Sequence, residues 1–126
     1  MDGLGVNPLF MERFHNYQNC IEACLRCAAI CNYCASACTQ EEDVKMMARC
    51  IQLDMECAAI CYATGQLLSL GSDKAMELCR ICADMCEACA TECEHHRHAE
   101  YCQVCARTCH HCAKECREMA GVAALP

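Results

Sequence analysis

Glycine, proline and the large aliphatic residues are all scarce in this chain of 126 residues. It has 5 glycines and 2 prolines, and Leu, Ile, Val and Phe together account for only 20 residues. The scarcity of glycine and proline favours helix almost everywhere, and no stretch shows the alternating pattern of a strand. Because so few large apolar residues could build only a small core, other side chains must fill the interior.

Basic residues and long apolar runs are also lacking. No uncharged apolar stretch approaches 18 residues, so we expect no transmembrane helix. The net charge is −7 and only 3 residues are Lys, which argues against binding nucleic acid through its phosphates. The segment Met1–Pro8 has neither the basic start nor the apolar stretch of a signal peptide, so we expect a cytoplasmic protein with reduced thiols.

Four boundary signals divide the chain and predict an all-α fold. Short connections between long helices force neighbouring helices to run antiparallel. We therefore predict one antiparallel four-helix-bundle domain over residues 1–126, with helices near 8–38, 41–70, 73–95 and 98–119. The signals are Asn7 with Pro8 as a helix start, Thr39 with Glu42 as a capping box, Gly71 with Ser72 as a stop and a start, and the polar cluster Glu94–His98 as the third turn, with Gly121 as the stop of the last helix.

Cysteine is what the chain has in abundance, with 19 residues. In three of the predicted helices the cysteines recur at alternating steps of three and four residues, the a and d positions of a heptad. The second helix keeps this frame, with Asp54 in one of the cysteine slots. All the thiols are therefore predicted to line the bundle interior: Cys20, Cys24, Cys27, Cys31, Cys34, Cys38, Cys50, Cys57, Cys61, Cys79, Cys82, Cys86, Cys89, Cys93, Cys102, Cys105, Cys109, Cys112 and Cys116.

Simple packing and disulfide bonding both explain this pattern poorly. A core of small thiols would pack less well than the usual Leu, Ile and Val. The Cβ atoms of residues i and i+4 on a helix are about 5–6 Å apart, whereas a disulfide needs about 3.5–4.5 Å. A reducing cytosol also opposes disulfides between helices, so metal binding is the favoured interpretation.

Spacing and charge both favour Cu(I) among the metals. Zinc and iron–sulfur sites with four sulfurs draw on ligands that converge from turns, whereas these cysteines follow straight helices. Two or three thiolates satisfy the soft Cu(I) ion, and the sequence offers eight i,i+4 cysteine pairs. One Cu(I) per thiolate leaves the core neutral, whereas one divalent ion per four thiolates leaves two negative charges buried at each site.

The residues that carry the metal chemistry also resemble a known family, the bacterial copper storage proteins. The resemblance lies in the second-helix segment Cys50–Cys57, the third-helix run Cys79–Cys93 and the His-rich turn before Cys102, within a match from about Cys20 to Met119. It implies cytosolic four-helix bundles, assembled as homotetramers, each holding many Cu(I) ions, approaching one per cysteine. It identifies no copper chaperone or efflux protein as a partner.

Extending the heptad frame beyond the cysteines predicts what closes each end of the bundle. One end has apolar or neutral residues and is expected to be capped: Tyr17, Thr64, Leu68, Ala75 and Met119. The other end is expected to be the mouth for copper, because it offers thioether and imidazole ligands: Glu41, Asp43, Met47, His96 and His98. Met47, His96 and His98 are therefore candidate ligands, and Asp54 is either a weak ligand or a hydrogen-bonded structural group.

Storage of Cu(I), with protection from its toxicity, is the function that these observations favour. A zinc or general soft-metal buffer is the main alternative, because thiolates also bind Zn(II) well. A metal-responsive regulator is a third, although no basic DNA-binding helix is visible. We expect no enzyme: the two Glu-x-x-His motifs of a di-iron bundle, Glu12 with His15 and Glu92 with His95, fall at opposite ends of the predicted bundle.

Overall fold

The computed structural model describes residues 7–124, and the side chains of residues 7–121. Over this range the chain forms four α-helices: α1 Pro8–Cys38, α2 Ala48–Leu70, α3 Ala75–His95 and α4 Glu100–Ala124. A short 3₁₀ helix, Val44–Met47, precedes α2. No strand occurs in the described residues. Residues 1–6 of the segment Met1–Pro8, for which no signal peptide was predicted, lie outside them.

The four helices pack as an antiparallel bundle, as predicted. Helix α1 packs against α2 and α4, and α3 packs against α2 and α4, so each helix has two neighbours around a square. The starts of α1 and α3 therefore share one end of the bundle with the ends of α2 and α4. None of the helices in the described range is long and apolar enough to span a membrane.

The start of the first helix and the stop of the second follow the predicted signals. The Asn7 side chain accepts a hydrogen bond from the Leu9 backbone N–H at 2.8 Å, and Pro8 occupies the first turn. Gly71 ends α2 with φ 66°, a left-handed conformation that glycine adopts without steric penalty.

The predicted capping box at Thr39 is wrong. The Thr39 hydroxyl donates to the Ser36 carbonyl oxygen at 2.6 Å, so it closes α1 and does not open α2. The chain then turns, and Asp43 caps the 3₁₀ helix by accepting from the Met46 N–H. Helix α2 consequently begins at Ala48, seven residues later than predicted.

Two further helix limits differ from the prediction. Ser72 accepts a hydrogen bond from the Lys74 N–H, but it does so within a turn, and α3 begins only at Ala75. Helix α4 begins at Glu100 and continues through Gly121 to Ala124. Glycine permits a stop without imposing one, because it can also adopt helical dihedral angles.

The core consists almost entirely of cysteine and alanine. Every cysteine is buried, and buried alanines such as Ala28, Ala83 and Ala113 lie beside them. The largest fully buried side chains are only Met47, Leu68, Thr64 and Asp54. Few large apolar groups are therefore available to fill the interior, and sulfur occupies much of it.

Candidate metal centre

All 19 cysteines are free thiols, and each is at most 1% exposed to solvent. They reach the interior because the steps of three and four residues keep them on one face of each helix. The structure thus brings together the whole cysteine set predicted from the sequence. A metal ion bound there would be enclosed by sulfur on several sides and shielded from water.

Contacts between helices dominate the arrangement of the sulfur atoms. The Sγ of Cys61 lies 3.6 Å from that of Cys82 on α3, and the Sγ of Cys31 lies 3.6 Å from that of Cys109 on α4. Among the i,i+4 pairs, those with sulfurs 3.9–4.0 Å apart are Cys27 with Cys31, Cys57 with Cys61, Cys82 with Cys86, and Cys105 with Cys109. The predicted emphasis on pairs within one helix is therefore incomplete.

Several groups of four thiols converge closely enough to surround one ion. Within each group the sulfur atoms all lie within 4.8 Å of one another. A tetrahedral site with zinc–sulfur bonds of about 2.3 Å requires sulfurs about 3.8 Å apart. The expectation that straight helices disfavour four-sulfur sites is thus wrong. Three such groups are Cys24, Cys82, Cys112 and Cys116; Cys27, Cys57, Cys61 and Cys86; and Cys34, Cys38, Cys50 and Cys102.

Close sulfur contacts also form a continuous path along part of the bundle. From Cys20 the path runs to Cys116 at 3.8 Å, to Cys24 at 3.7 Å and then to Cys112 at 3.9 Å. The next contact, from Cys112 to Cys61, is 4.0 Å. A soft ion could move along such a path by exchanging one thiolate for the next without leaving sulfur coordination.

Asp54 lies fully buried among these thiols. Its Oδ1 accepts hydrogen bonds from the Cys89 thiol at 3.1 Å and the Cys105 thiol at 3.4 Å, and Cys50 lies 3.8 Å from its Oδ2. Burial raises the pKa of the Asp54 carboxyl to about 8, because loss of hydration disfavours the charged carboxylate. In the metal-free protein the group is therefore a proton carrier surrounded by thiols.

Burial acts on the thiols in the same direction. It raises the pKa of the Cys38 thiol, for which desolvation is the largest influence. Only the thiolate is a strong ligand, so a metal ion must displace the proton from each thiol that it binds. Loading of this core is therefore coupled to proton release.

The predicted mouth residues gather at the end of the bundle where α1 and α3 finish. Met47 is 1% exposed and His96 is 7% exposed. The His96 Nε2 atom lies 2.8 Å from a carboxylate oxygen of Glu92, and Gln103 donates to the His96 carbonyl oxygen. His98 is more exposed and lies 3.0 Å from Glu41. The structure thus places Met47 and His96 at the border of the core and His98 at its surface.

Sequence reasoning missed two hydrogen-bond partners of the mouth residues. Glu92 precedes His96 by four residues, a spacing that puts both on one helix face and could have revealed the pair. Tyr101 donates a hydrogen bond to the second Glu41 oxygen at 2.9 Å, and no local spacing predicts this contact between distant segments. The Glu41 carboxylate, held by both His98 and Tyr101, ties the α1–α2 connection to the turn before α4 and to the start of α4.

The end predicted to be capped is only partly closed. Thr64, Leu68 and Ala75 are fully buried there, as expected. Tyr17 and Met119, however, are half-buried and line a cavity of about 530 Å³. His110 and His111, the histidines on α4, are exposed.

Comparison with known proteins is consistent with this arrangement. The model of the copper storage protein family matches residues 13–121. The cysteine-rich protein YhjQ of Bacillus subtilis is 46% identical over 88 residues, which cover 70% of this chain and 80% of that protein.

Several solved structures share the fold. The Cu(I)-bound copper storage protein BsCsp3 of Bacillus subtilis is 43% identical, with a TM-score of 0.79 and coverage of 82% of this chain and 97% of that one. A cytosolic copper storage protein of Streptomyces lividans, loaded with five coppers, is 38% identical, with a TM-score of 0.80 and coverage of 95% and 100%. With the family match extending over most of its length, this four-helix chain with a thiol-lined core belongs to the copper storage protein family.

Proposed function

We propose that this protein stores and sequesters Cu(I), holding many ions per chain on the thiolates inside its bundle. The observation that carries the proposal is the set of 19 buried thiols, most of which have a neighbouring sulfur 3.6–4.0 Å away. Such an interior binds soft ions in number and keeps them from water and from reactive molecules. Sequestration of this kind protects the cell from copper and keeps a supply for copper proteins.

Charge selects the cargo. Because the four-sulfur groups are compact enough for zinc, geometry alone does not distinguish the two metals. Nineteen thiolates filled with one Cu(I) each are neutral, whereas four thiolates around one Zn(II) keep two negative charges in the dry core. The chain already carries a net charge of −7, so the zinc-loaded form would be strongly anionic. This argument favours Cu(I) over the alternative of a zinc buffer.

The relatives support the same cargo and compartment. BsCsp3 is Cu(I)-bound, and the Streptomyces lividans protein is cytosolic and takes up several coppers. By their likeness we assign this chain a cytoplasmic storage role, with copper ions as its cargo. The storage role requires neither catalysis nor binding to nucleic acid or membrane.

Metal competition tests the cargo. Reduced protein is offered equal concentrations of Cu(I) and Zn(II) without oxygen, and the bound metals are counted after desalting. We expect Cu(I) in a number that approaches the cysteine count and almost no zinc. Retention of a few zinc ions in preference to copper would establish the buffer alternative.

We further propose that copper enters at the mouth through Met47, His96 and His98. Their thioether and imidazole groups bind Cu(I) more weakly than thiolates do, so they can accept an ion and release it inward. The burial of Met47 and His96 at the edge of the thiol core supports this role. His98 lies outside them, where an incoming donor would meet it first.

Replacing Met47, His96 and His98 with alanine is expected to slow both loading and removal of Cu(I) by at least about threefold, because weak ligands at the mouth are lost. Capacity should hardly change, since the thiols remain. The rate of appearance of thiolate-to-copper absorbance measures loading. A matched control replaces the exposed Met46, His110 and His111 with alanine, and this variant should load at the normal rate. Equal rates in both variants would remove the mouth assignment.

We propose that the chain assembles as a homotetramer. Large apolar side chains remain exposed on the α1–α2 face, among them Leu25 at 44%, Tyr62 at 47% and Met55 at 60%. Gly65 leaves room there for the Leu25 side chain, since a Cβ at position 65 would lie 3.0 Å from it. Large apolar side chains exposed together are typical of a subunit interface.

Sedimentation tests the assembly. With a chain mass of 14.0 kDa, we expect a species of about four chains at micromolar concentration. Replacing Leu25 and Tyr62 with glutamate should shift the protein to smaller species, because buried charge opposes association. A monomeric mass for the unaltered protein would contradict the proposal.

A further inference from the structure

The bundle end opposite the mouth contains a cavity of about 530 Å³ with an unusual lining. Met76 at the start of α3 and Met119 near the end of α4 both line it, and both are half-buried. Cys20, the first thiol of the core, also lines the cavity and is 1% exposed. Three sulfur-bearing side chains from three helices therefore border a single opening.

The chemistry of this lining matches one class of ligand. Thioether and thiolate sulfur select Cu(I) and similar soft monovalent ions. Glu115 and Glu118 line the same cavity and add negative charge that attracts a cation to an opening, and Lys114 offsets part of this charge, since its ammonium lies 3.1 Å from the Glu118 carboxylate. A purely structural cap needs apolar side chains of suitable shape, and the two carboxylates contribute nothing to such a cap.

The cavity also leads into the store. Cys20 lies 3.8 Å from Cys116, which lies 3.7 Å from Cys24, and the sulfur path continues from there into the bundle. An ion that reached Cys20 could therefore pass inward by thiolate exchange. The mouth histidines lie at the other end and take no part in this route.

We propose that this cavity is a second port, in which Met76 and Met119 bind incoming Cu(I) and pass it to Cys20. The proposal rests on the proposed storage function and deepens it, since it gives the store an entrance at each end. The transfer is a ligand exchange without redox change. Cu(I) leaves the thioethers, forms a bond to the Cys20 sulfur, and the thiol proton passes to water or to a carboxylate at the cavity.

The test uses a protein whose mouth is disabled, so that the far end determines the rate. In the Met47→Ala, His96→Ala, His98→Ala background, Cu(I) is supplied without oxygen as its acetonitrile complex. Adding Met76→Leu and Met119→Leu is expected to slow loading by a further factor of at least about three, because leucine fills the same volume without a sulfur ligand. The number of Cu(I) ions bound when loading is complete should stay the same.

Matched changes elsewhere separate ligation from packing. Met55→Leu and Met85→Leu, placed away from the cavity in the same background, should leave the rate unchanged. Glu115→Gln with Glu118→Gln should slow loading at low ionic strength and have less effect at high salt. Helicity by circular dichroism confirms that each variant folds.

The outcomes distinguish failure of the second port from failure of the storage function. If the mouth-disabled protein fails to load at all, or if the two leucines leave its rate unchanged, the second port is overturned while storage stands. If the unaltered protein binds only a few Cu(I) ions, the storage function fails and the port fails with it. An additional slowing that is specific to Met76 and Met119, at an unchanged end point, supports the proposal.

Discussion

Replacing Cys27, Cys57, Cys61 and Cys86 with alanine is expected to lower the capacity of the protein by about four Cu(I) ions per chain. These four sulfurs form one compact group, with the Cys57 and Cys86 sulfurs 3.6 Å apart. If each Cu(I) is balanced by one thiolate, removing four thiolates removes four charges and hence four ions. A store built from four-sulfur divalent sites would lose only about one ion. The number of ions lost therefore shows whether the stored ion is monovalent or divalent.

The measurement is a Cu(I) titration of the quadruple variant beside the unaltered protein. Thr64→Ala is the control, because Thr64 is buried at the end of the same core but has no thiol. Its hydroxyl donates a hydrogen bond to the Ile60 carbonyl oxygen. Its capacity should be unchanged. If the quadruple variant does not fold, the four single variants should each lose about one ion. Loss of most of the copper on removing these four thiols would contradict the loss of one ion per thiol and indicate that the thiols bind copper as a single cooperative cluster.

Replacing Asp54 with asparagine is expected to stabilise the metal-free protein at pH 7 by about 2–4 kcal/mol. The folded protein raises the pKa of this carboxyl to about 8, from an ordinary value of 3.8. Between those values the unfolded chain has released the proton that the folded protein retains. Raising the pH through this range therefore favours unfolding, at about 1.4 kcal/mol per unit of pKa difference. Asparagine keeps the shape of the side chain and removes the titration.

Urea unfolding at pH 5 and pH 7 measures this effect in reduced, chelated protein. The stability gained on substitution should be larger at pH 7 than at pH 5. The Asp54 carboxyl destabilises the folded protein increasingly as the pH rises from 3.8 towards about 8, and pH 7 lies further along this range. Asp73→Asn, at an exposed position, is the control and should show no such difference. A variant that is less stable than the unaltered protein at pH 7 would show that the carboxylate stabilises the core.

The cysteine frame and the bundle could be predicted because they depend on a local period. Steps of three and four residues fix the direction of each side chain relative to its own helix. Cys79, Cys82 and Cys86 must therefore share one face wherever the helix lies. The same reasoning placed Asp54 among the thiols and Met47 and His96 at the end of the core.

Features that depend on the packing between helices could not be predicted in this way. The close contact between Cys31 and Cys109 requires the register of α1 against α4, which no local spacing determines. The predicted helix limits were wrong where one residue type can either end a helix or begin one. A threonine such as Thr39 can close one helix as readily as it opens the next. The heptad frame also identified Tyr17 and Met119 at the far end, but their residue types do not reveal that they leave a cavity.

Anaerobic titration of the reduced protein with Cu(I), in the presence of a competing chelator of known affinity, tests the central claim most directly. The chelator's absorbance gives the copper that remains unbound at each addition. We expect the protein to withhold copper from the chelator until the bound number approaches the 19 cysteines of the chain. Saturation at only a few ions per chain, with most thiols still reactive toward a thiol reagent, would contradict storage by the whole thiol core.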